Sequence, residues 1–349
     1  MQDVPLASRL EGLIIDKWKI IKKRLKTADD NSGVFSSCYE VENVENGQTG
    51  FLKAINYKYA FNVLMPGASS IDLLHKLTAS YQYEKELLDF CNDKKMSRIV
   101  SAIAHGEYRD PSEPYPVPYL VFEIASGSLK NLVQQKRFDL AWKLGAIHGF
   151  LVGLSQLHQE NIVHQDIKPS NILVFGQVAS KLSDLGNATK FDKRSPLWDG
   201  DGHCGDMGYA PIELLYGYCS VNWQTRRLGA DLFMAGGVIT YLITDSNFLT
   251  LMISNTPETY RPLNWGGSFD EVKPHILQAY NVALAEVVDR IDSRIREPLG
   301  EIIAQLTHPI PEQRGIPRGF TTSLPQYSLQ RYISIVDRLA KMLEWGKDE

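Results

Sequence analysis

Between Trp18 and Lys53, apolar and polar residues alternate in WKIIKKRL, CYEVENV and FLKAI, with the turn ENGQTG before the last of these. A period of two sends successive side chains to opposite faces, so the pattern predicts strands joined as two hairpins in sequence. The lysines of WKIIKKRL read as the solvent side of an edge strand rather than as a basic patch. From Asp72 to Asn92 the period lengthens. Leu73, Leu74, Leu77, Tyr81, Leu87 and Leu88 recur at helical intervals, and Glu84 and Glu86 fall inside that helix. PYLVFEI, residues 118–124, returns to strand. After ASGS, a long amphipathic helix is marked by Leu140, Leu144, Ile147, Leu151, Leu154 and Leu157, and most of the chain beyond residue 190 reads as loop or helix. A last helix carries Leu329, Tyr332, Ile333, Val336, Leu339 and Leu343 on one face, which is expected to dock on its own domain. The pattern thus predicts an α+β protein in two parts, a strand-rich portion over 1–124 and a helical portion over 125–349.

Composition narrows the function classes. The 349 residues are 44% hydrophobic and 22% charged with a formal net charge of -4, which suits a folded core and excludes a strongly basic nucleic-acid footprint. No nucleic-acid partner is expected. No segment approaches the roughly 18 apolar residues of a membrane span, and the N-terminal stretch lacks an uninterrupted apolar run, so neither a membrane nor export is expected. Cys38, Cys91, Cys204 and Cys219 are scattered without a CxxC pair, which fits a reducing, cytoplasmic setting. Nothing in the sequence bears on oligomeric state.

The densest polar chemistry lies in IVHQDIKPSNILV, residues 162–174, where Asp166, Lys168 and Asn171 sit between two apolar runs. Two short strands follow, NILVF and SKLSDLGNA joined by GQVAS, and such a hairpin would return Asp184 beside Asn171. An Asp and an Asn together offer hard oxygen donors of the kind Mg²⁺ takes when it arrives with substrate phosphates.

These segments resemble the eukaryotic-type serine/threonine protein kinase family. HQDIKPSN is similar to its HRDxKxxN catalytic loop, and DLG at 184–186 to its DFG. NSGVFSSCYEV is similar to the Gly-rich loop, and Lys53 follows Cys38 by 15 residues, as that family's lysine would. GYAPIE resembles the APE segment, ADLFMAGGVI the helix whose buried acid anchors the catalytic loop, and HPIPEQR the place of an arginine that pairs with the APE glutamate. The order and spacing hold over roughly residues 18–318.

The resemblance implies a bilobal protein kinase-like fold with a small β-rich N-lobe and a larger, mainly helical C-lobe. It also implies ATP and Mg²⁺ as cofactors and a protein substrate. Asp166 would orient the acceptor hydroxyl or take its proton, and Lys168 would neutralise the γ-phosphate. Asn171 and Asp184 would bind the metal, Lys53 would hold the α/β-phosphates, and Glu84 would orient Lys53. Glu84 is preferred to Glu86 because Leu87 and Leu88 then lie three and four positions on, toward the core. Gly33 would lie over the phosphates. Glu123 to Ala125 would read adenine, with Phe122 narrowing any rear pocket. Asp231 would hold the catalytic-loop backbone, His164 would pack behind that loop, and Glu213 and Arg314 would form a buried ion pair. Lys168 followed by Pro169 is similar to the serine/threonine branch.

Several positions depart from the family pattern. Gln165 replaces the arginine that pairs with a phosphorylated activation loop, so phosphorylation there is not expected to be a switch. The Gly-rich loop keeps only Gly33, with Asn31 and Ser36 at the flanking positions. Phe51 stands where a small residue covers adenine, and Cys38 replaces valine on the same roof. WDGDGHCGDMG, with Asp199, Asp201, Asp206, His203 and Cys204, matches no EF-hand or zinc spacing and reads as a substrate-facing loop. The expected activity is Mg-ATP-dependent phosphorylation of protein serine or threonine. The alternatives are a pseudokinase acting as a scaffold and a small-molecule phosphotransferase of the aminoglycoside type.

Overall fold

The computed structural model describes residues 4–24, 36–57, 69–111, 113, 115–176, 179–193, 195, 205–317 and 324–345. The chain divides into two compact units, one of residues 1–126 with 183–186, the other of 127–182 with 187–349.

The first unit is built on a six-stranded antiparallel sheet in the order β1-β2-β3-β4-β6-β5. Its strands are β1 (Ile14–Ile15), β2 (Trp18–Arg24), β3 (Ser36–Asn43), β4 (Thr49–Ile55), β5 (Ala102–Tyr108) and β6 (Val117–Phe122). Both predicted hairpins are present, and the β3–β4 register sets Cys38 opposite Lys53. Trp18, Ile20, Tyr39, Val41, Leu52, Ala54, Tyr119 and Val121 are buried on one face of the sheet. Lys19 and Lys22 of β2 are exposed, and a register shift between Ile20 and Lys22 leaves Lys23 half-buried.

The segment before β1 closes this core. Leu6, Ala7 and Leu10 are buried in it, and burying a leucine contributes about 1.5–3 kcal/mol. The segment is tied down by Tyr39 Oη donating to Ala7 O at 2.7 Å and Lys23 Nζ donating to Ser8 O at 2.8 Å. Helix α1 (Ser70–Asp93) buries Leu77, Tyr81, Glu84, Leu88 and Cys91, spaced four and three apart along one face.

In the second unit, β7 (Gly127–Ser128) leads into α2 (Leu129–Gln135) and α3 (Leu140–Gln159). Asp139 caps α3 by accepting from Trp142 N at 2.8 Å, and Leu144, Ile147, Leu151, Leu154 and Leu157 are fully buried. Strands β8 (Ile162–Val163), β9 (Ile172–Phe175), β10 (Ala179–Leu182) and β11 (Thr189–Lys190) frame the catalytic-loop sequence. The β9–β10 hairpin pairs Ile172 with Leu182, and β11 pairs with β8. Among the described residues the helices that follow are α4 (Ile212–Leu215), α5 (Trp223–Thr244), α6 (Phe248–Asn255), α7 (Phe269–Arg290), α8 (Arg296–Leu306) and α9 (Gln330–Trp345). Helix α9 packs on α3 and buries Tyr332, Val336, Leu339 and Leu343, so the final amphipathic helix docks on its own unit. Among the described residues no single helix is long and apolar enough to cross a membrane.

Candidate active site

The first unit gathers one cation and two acids. Strand alternation buries Leu52 and Ala54 in the core and turns Lys53 to the opposite face. There Lys53 Nζ lies 3.1 Å from Glu84 Oε1 and 3.0 Å from Asp184 Oδ1. Of the two helix acids, Glu84 is buried and ion-paired, whereas Glu86 is exposed. Asp184 takes the left-handed region with φ 62°, which an Asp tolerates. A Cβ placed on Gly186 would meet Asp184 Oδ1 at 3.5 Å and Glu84 Oε2 at 3.7 Å. These contacts are why the short DLG stretch belongs with the first unit, although sequence position places it in the helical portion.

Burial alone would lower the Lys53 ammonium, but the charges of Asp184 and Glu84 outweigh it and hold Lys53 above the ordinary lysine range. Lys53 therefore stays cationic, as a phosphate ligand must. Burial pushes the Glu84 carboxyl above the usual carboxylate range, with the Lys53 charge opposing.

At the end of β6, Glu123 N donates to Ser101 O at 3.2 Å, and Glu123 Oε1 accepts from Ser101 N at 2.9 Å. This clamp fixes the chain leading to Ala125, which is half-buried. Phe122 is buried, and Phe51 lies opposite it across the β4–β6 pair. Gly33, Asn31 and residues 196–204 lie outside the described residues.

In the second unit the catalytic-loop sequence follows β8. Asp231, fully buried on α5, accepts from His164 N and Gln165 N, both at 2.8 Å, and its Oδ2 lies 2.9 Å from His158 Nε2. One carboxylate thus fixes two consecutive peptide groups of the loop. His164 is buried, with Nδ1 accepting from Asp166 N at 3.3 Å. Asn171 Nδ2 donates to Asp166 O at 2.9 Å and to Asp166 Oδ2 at 3.0 Å. Lys168 Nζ lies 3.1 Å from Asp166 Oδ2, so Asp166, Lys168 and Asn171 are brought together as one buried cluster.

Gln165 adopts φ 64° and bridges two partners, donating through Nε2 to Asn187 O at 2.7 Å and accepting from Arg227 at Oε1. A neutral amide therefore ties the catalytic loop to the chain beyond DLG, where the family arginine would be charged. Glu213 and Arg314 form the expected pair through two parallel bonds of 2.9 and 2.8 Å.

Sequence reasoning missed one member of the loop cluster. Asp206, grouped by sequence with the acids of a substrate-facing loop, donates its backbone N–H to Asp166 Oδ1 at 2.9 Å, and its Oδ2 lies 3.6 Å from Lys168 Nζ. The adjacent glycine was the available signal: a Cβ on Gly205 would sit 2.3 Å from Gln165 O, a backbone approach only glycine permits.

The donor chemistry fits a hard cation. Each unit carries a hard oxygen donor of its own, the Asp184 carboxylate in the first and, in the second, the amide of Asn171, whose nitrogen donates to Asp166. Among the described residues no group of three His, Cys, Asp or Glu is placed to hold a metal ion.

Comparison with known proteins gives the family. A model of the protein kinase domain matches residues 32–314, and the chain belongs to the protein kinase family. The chain is 28% identical over 220 residues to an Aurora kinase of Debaryomyces hansenii, an alignment covering 62% of this chain and 45% of that protein. It is 35% identical over 125 residues to Aurora/IPL1-related protein kinase 2 of Caenorhabditis briggsae, covering 35% and 38%. It is 21% identical over 161 residues to mitogen-activated protein kinase p38b of Drosophila melanogaster, covering 46% and 41%. The chain spans less than half the length of each of these relatives.

Proposed function

We propose that the protein transfers the γ-phosphoryl group of ATP, with Mg²⁺, to serine or threonine hydroxyls of a protein substrate. The observation that carries this reading is the buried cluster of Asp166, Lys168 and Asn171, fixed from behind by Asp231. Phosphoryl transfer has a loose transition state with charge on the equatorial oxygens, so positioning and electrostatic stabilisation supply most of the catalysis.

Asp166 orients the acceptor hydroxyl and takes its proton as the new oxygen–phosphorus bond forms. The bond between the γ-phosphorus and the β–γ bridging oxygen breaks, and ADP leaves with that oxygen. Lys168 offsets charge on the moving phosphoryl group. Lys53, oriented by Glu84, holds the α/β-phosphates, and the backbone from Glu123 to Ala125 reads adenine. Asn171 and Asp184 are the residues that would each offer an oxygen to Mg²⁺, which would supply charge neutralisation at the phosphates. Lys168 next to Pro169, together with relatives whose names describe putative or probable serine/threonine-protein kinases, supports a hydroxyl acceptor on serine or threonine.

The test incubates wild type and Asp166→Ala with labelled ATP and Mg²⁺, beside a generic protein acceptor and the protein itself. Wild type labels serine or threonine and Asp166→Ala loses nearly all incorporation. Equal labelling by both would remove Asp166 from this role. The bulk of Phe51 on the adenine side favours one rival, a scaffold with a degraded nucleotide site. Mg-ATP at about 100 times its Kd should stabilise a kinase by roughly 2.7 kcal/mol, and no thermal shift together with no labelling would favour the scaffold.

A further inference from the structure

Ser8 links the ends of three strands of the first unit. The segment before β1 lies on the core face of the sheet, where it makes one tight turn in which Ser8 N donates to Pro5 O at 2.8 Å. Ser8 O accepts from Lys23 Nζ at 2.8 Å, and Lys23 is the last residue but one of β2. Ser8 Oγ lies 3.0 Å from Oγ of Ser37, the second residue of β3, and 3.5 Å from Nδ2 of Asn56, which directly follows β4. The turn is held in turn by its neighbours, since Tyr39 Oη donates to Ala7 O at 2.7 Å and Glu11 Oε2 accepts from Lys23 N at 2.9 Å.

Those strand ends carry the parts that would hold phosphate. The stretch NSGVF lies between β2 and β3 in sequence, so Lys23 and Ser37 stand at its two feet. With Gly33 alone at the family glycine positions, close backbone approach to phosphate depends the more on where those feet are fixed. Asn56 comes three residues after Lys53, and the β3–β4 register sets Ser37 opposite Ala54 and Cys38 opposite Lys53. Ser37 is buried, so a hydroxyl there has little water to turn to when a partner is lost.

We propose that Ser8 is a positioning residue for the nucleotide: it holds both feet of the glycine-poor stretch in fixed register with the strand that carries Lys53, and so sets the affinity for ATP from the sheet face opposite Lys53. The proposal rests on the kinase reading above. The competing explanation is that the segment only covers the apolar face with Leu6, Ala7 and Leu10, and that the polar links at Ser8 do nothing for ATP.

Polar and apolar substitutions in the segment separate the two. The full chain is purified as wild type, Ser8→Ala, Lys23→Met, Ser37→Ala, Ser8→Ala/Ser37→Ala and Leu6→Ala, and kcat, KM for ATP, Tm and the thermal shift with Mg-ATP are measured for each. Ser8→Ala should raise KM for ATP about two- to tenfold, as the loss of one hydrogen bond does in a binding equilibrium, with kcat nearly unchanged and a smaller Mg-ATP shift. Lys23→Met keeps the aliphatic stem, removes the donor to Ser8 O and should raise KM in the same direction. The double variant should raise KM by less than the product of its two single effects, because both remove one bond. Leu6→Ala thins the covering of the core but leaves the links at Ser8 in place, so it should lower Tm more than Ser8→Ala does while KM stays near wild type. KM near wild type in both Ser8→Ala and Lys23→Met would overturn the proposal, as would a KM that rises in step with lost Tm and is highest in Leu6→Ala. A wild type with neither turnover nor a Mg-ATP shift would instead overturn the kinase reading, and this inference with it.

Discussion

Glu213→Ala isolates a buried ion pair of the helical unit. Arg314 is fully buried, and Glu213 meets it through two bonds of 2.9 and 2.8 Å. Removing one partner of such a pair leaves an uncompensated buried charge and costs about 3–5 kcal/mol. Arg314 keeps other support, donating to Gly229 O at 3.0 Å and His308 O at 2.9 Å and lying 4.9 Å from the centroid of the Phe233 ring. These contacts argue for the lower part of that range, about 3–4 kcal/mol. At roughly 2–4 °C per kcal/mol for a domain of this size, Tm should fall by about 6–16 °C.

Differential scanning calorimetry of wild type, Glu213→Ala and the double variant Glu213→Leu/Arg314→Met checks this. The double variant should unfold closer to wild type than Glu213→Ala does, because it strands no charge. Lys341→Ala is the surface control. Lys341 is 56% exposed and pairs with Asp337 one turn away, and such pairs contribute about 0–1 kcal/mol. A Glu213→Ala transition within about 2 °C of wild type would refute the claim that an unpaired guanidinium is costly at this site.

Two further outcomes follow. Burial holds His308 below the ordinary histidine value near 6.5, so the native state is neutral where the unfolded chain binds a proton. The unfolded state then binds more protons as pH drops below about 6.5, and stability is lost in that direction until the lowered native value is passed. Between pH 7.5 and 5.5, wild-type Tm should fall more than that of His308→Asn, and parallel curves for the two would remove His308 from the acid response. Phe51→Ala, which clears the roof position opposite Phe122, should lower KM for ATP several-fold with little change in kcat; an unchanged or raised KM would show that the ring does not obstruct adenine.

Much of the fold was legible because it obeys local periods. The alternation in β3 and β4 placed Lys53 opposite the core face, and the helical spacing that put Leu87 and Leu88 inward chose Glu84 over Glu86. Strand β5 was not legible, since AIAHGEY carries few large apolar residues. It is a strand because β6 supplies backbone partners and Tyr81 Oη reaches Gly106 O at 3.2 Å, both set by residues distant in sequence. The segment holding Leu6 and Leu10 was equally silent, because three apolar side chains without a period show only that something must cover them.

The site divides in the same way. Asp166, Lys168 and Asn171 lie within a few positions of one another and carry their chemistry in their spacing, whereas Asp206 reaches Asp166 across 40 residues of sequence with no motif spacing to mark it. Glycine serves two purposes that a sequence does not separate, since it permits a left-handed turn and it lets two backbones touch. Gly315 adopts φ 90° and also brings its Cβ position within 2.3 Å of Gln326 O, so both purposes coincide there. Gly205 shows no such φ and still could not carry a Cβ beside Gln165 O. Alanine at Gly205 therefore tests the close approach to Gln165 and Asp166 of the catalytic loop, with no confounding strain from a left-handed conformation.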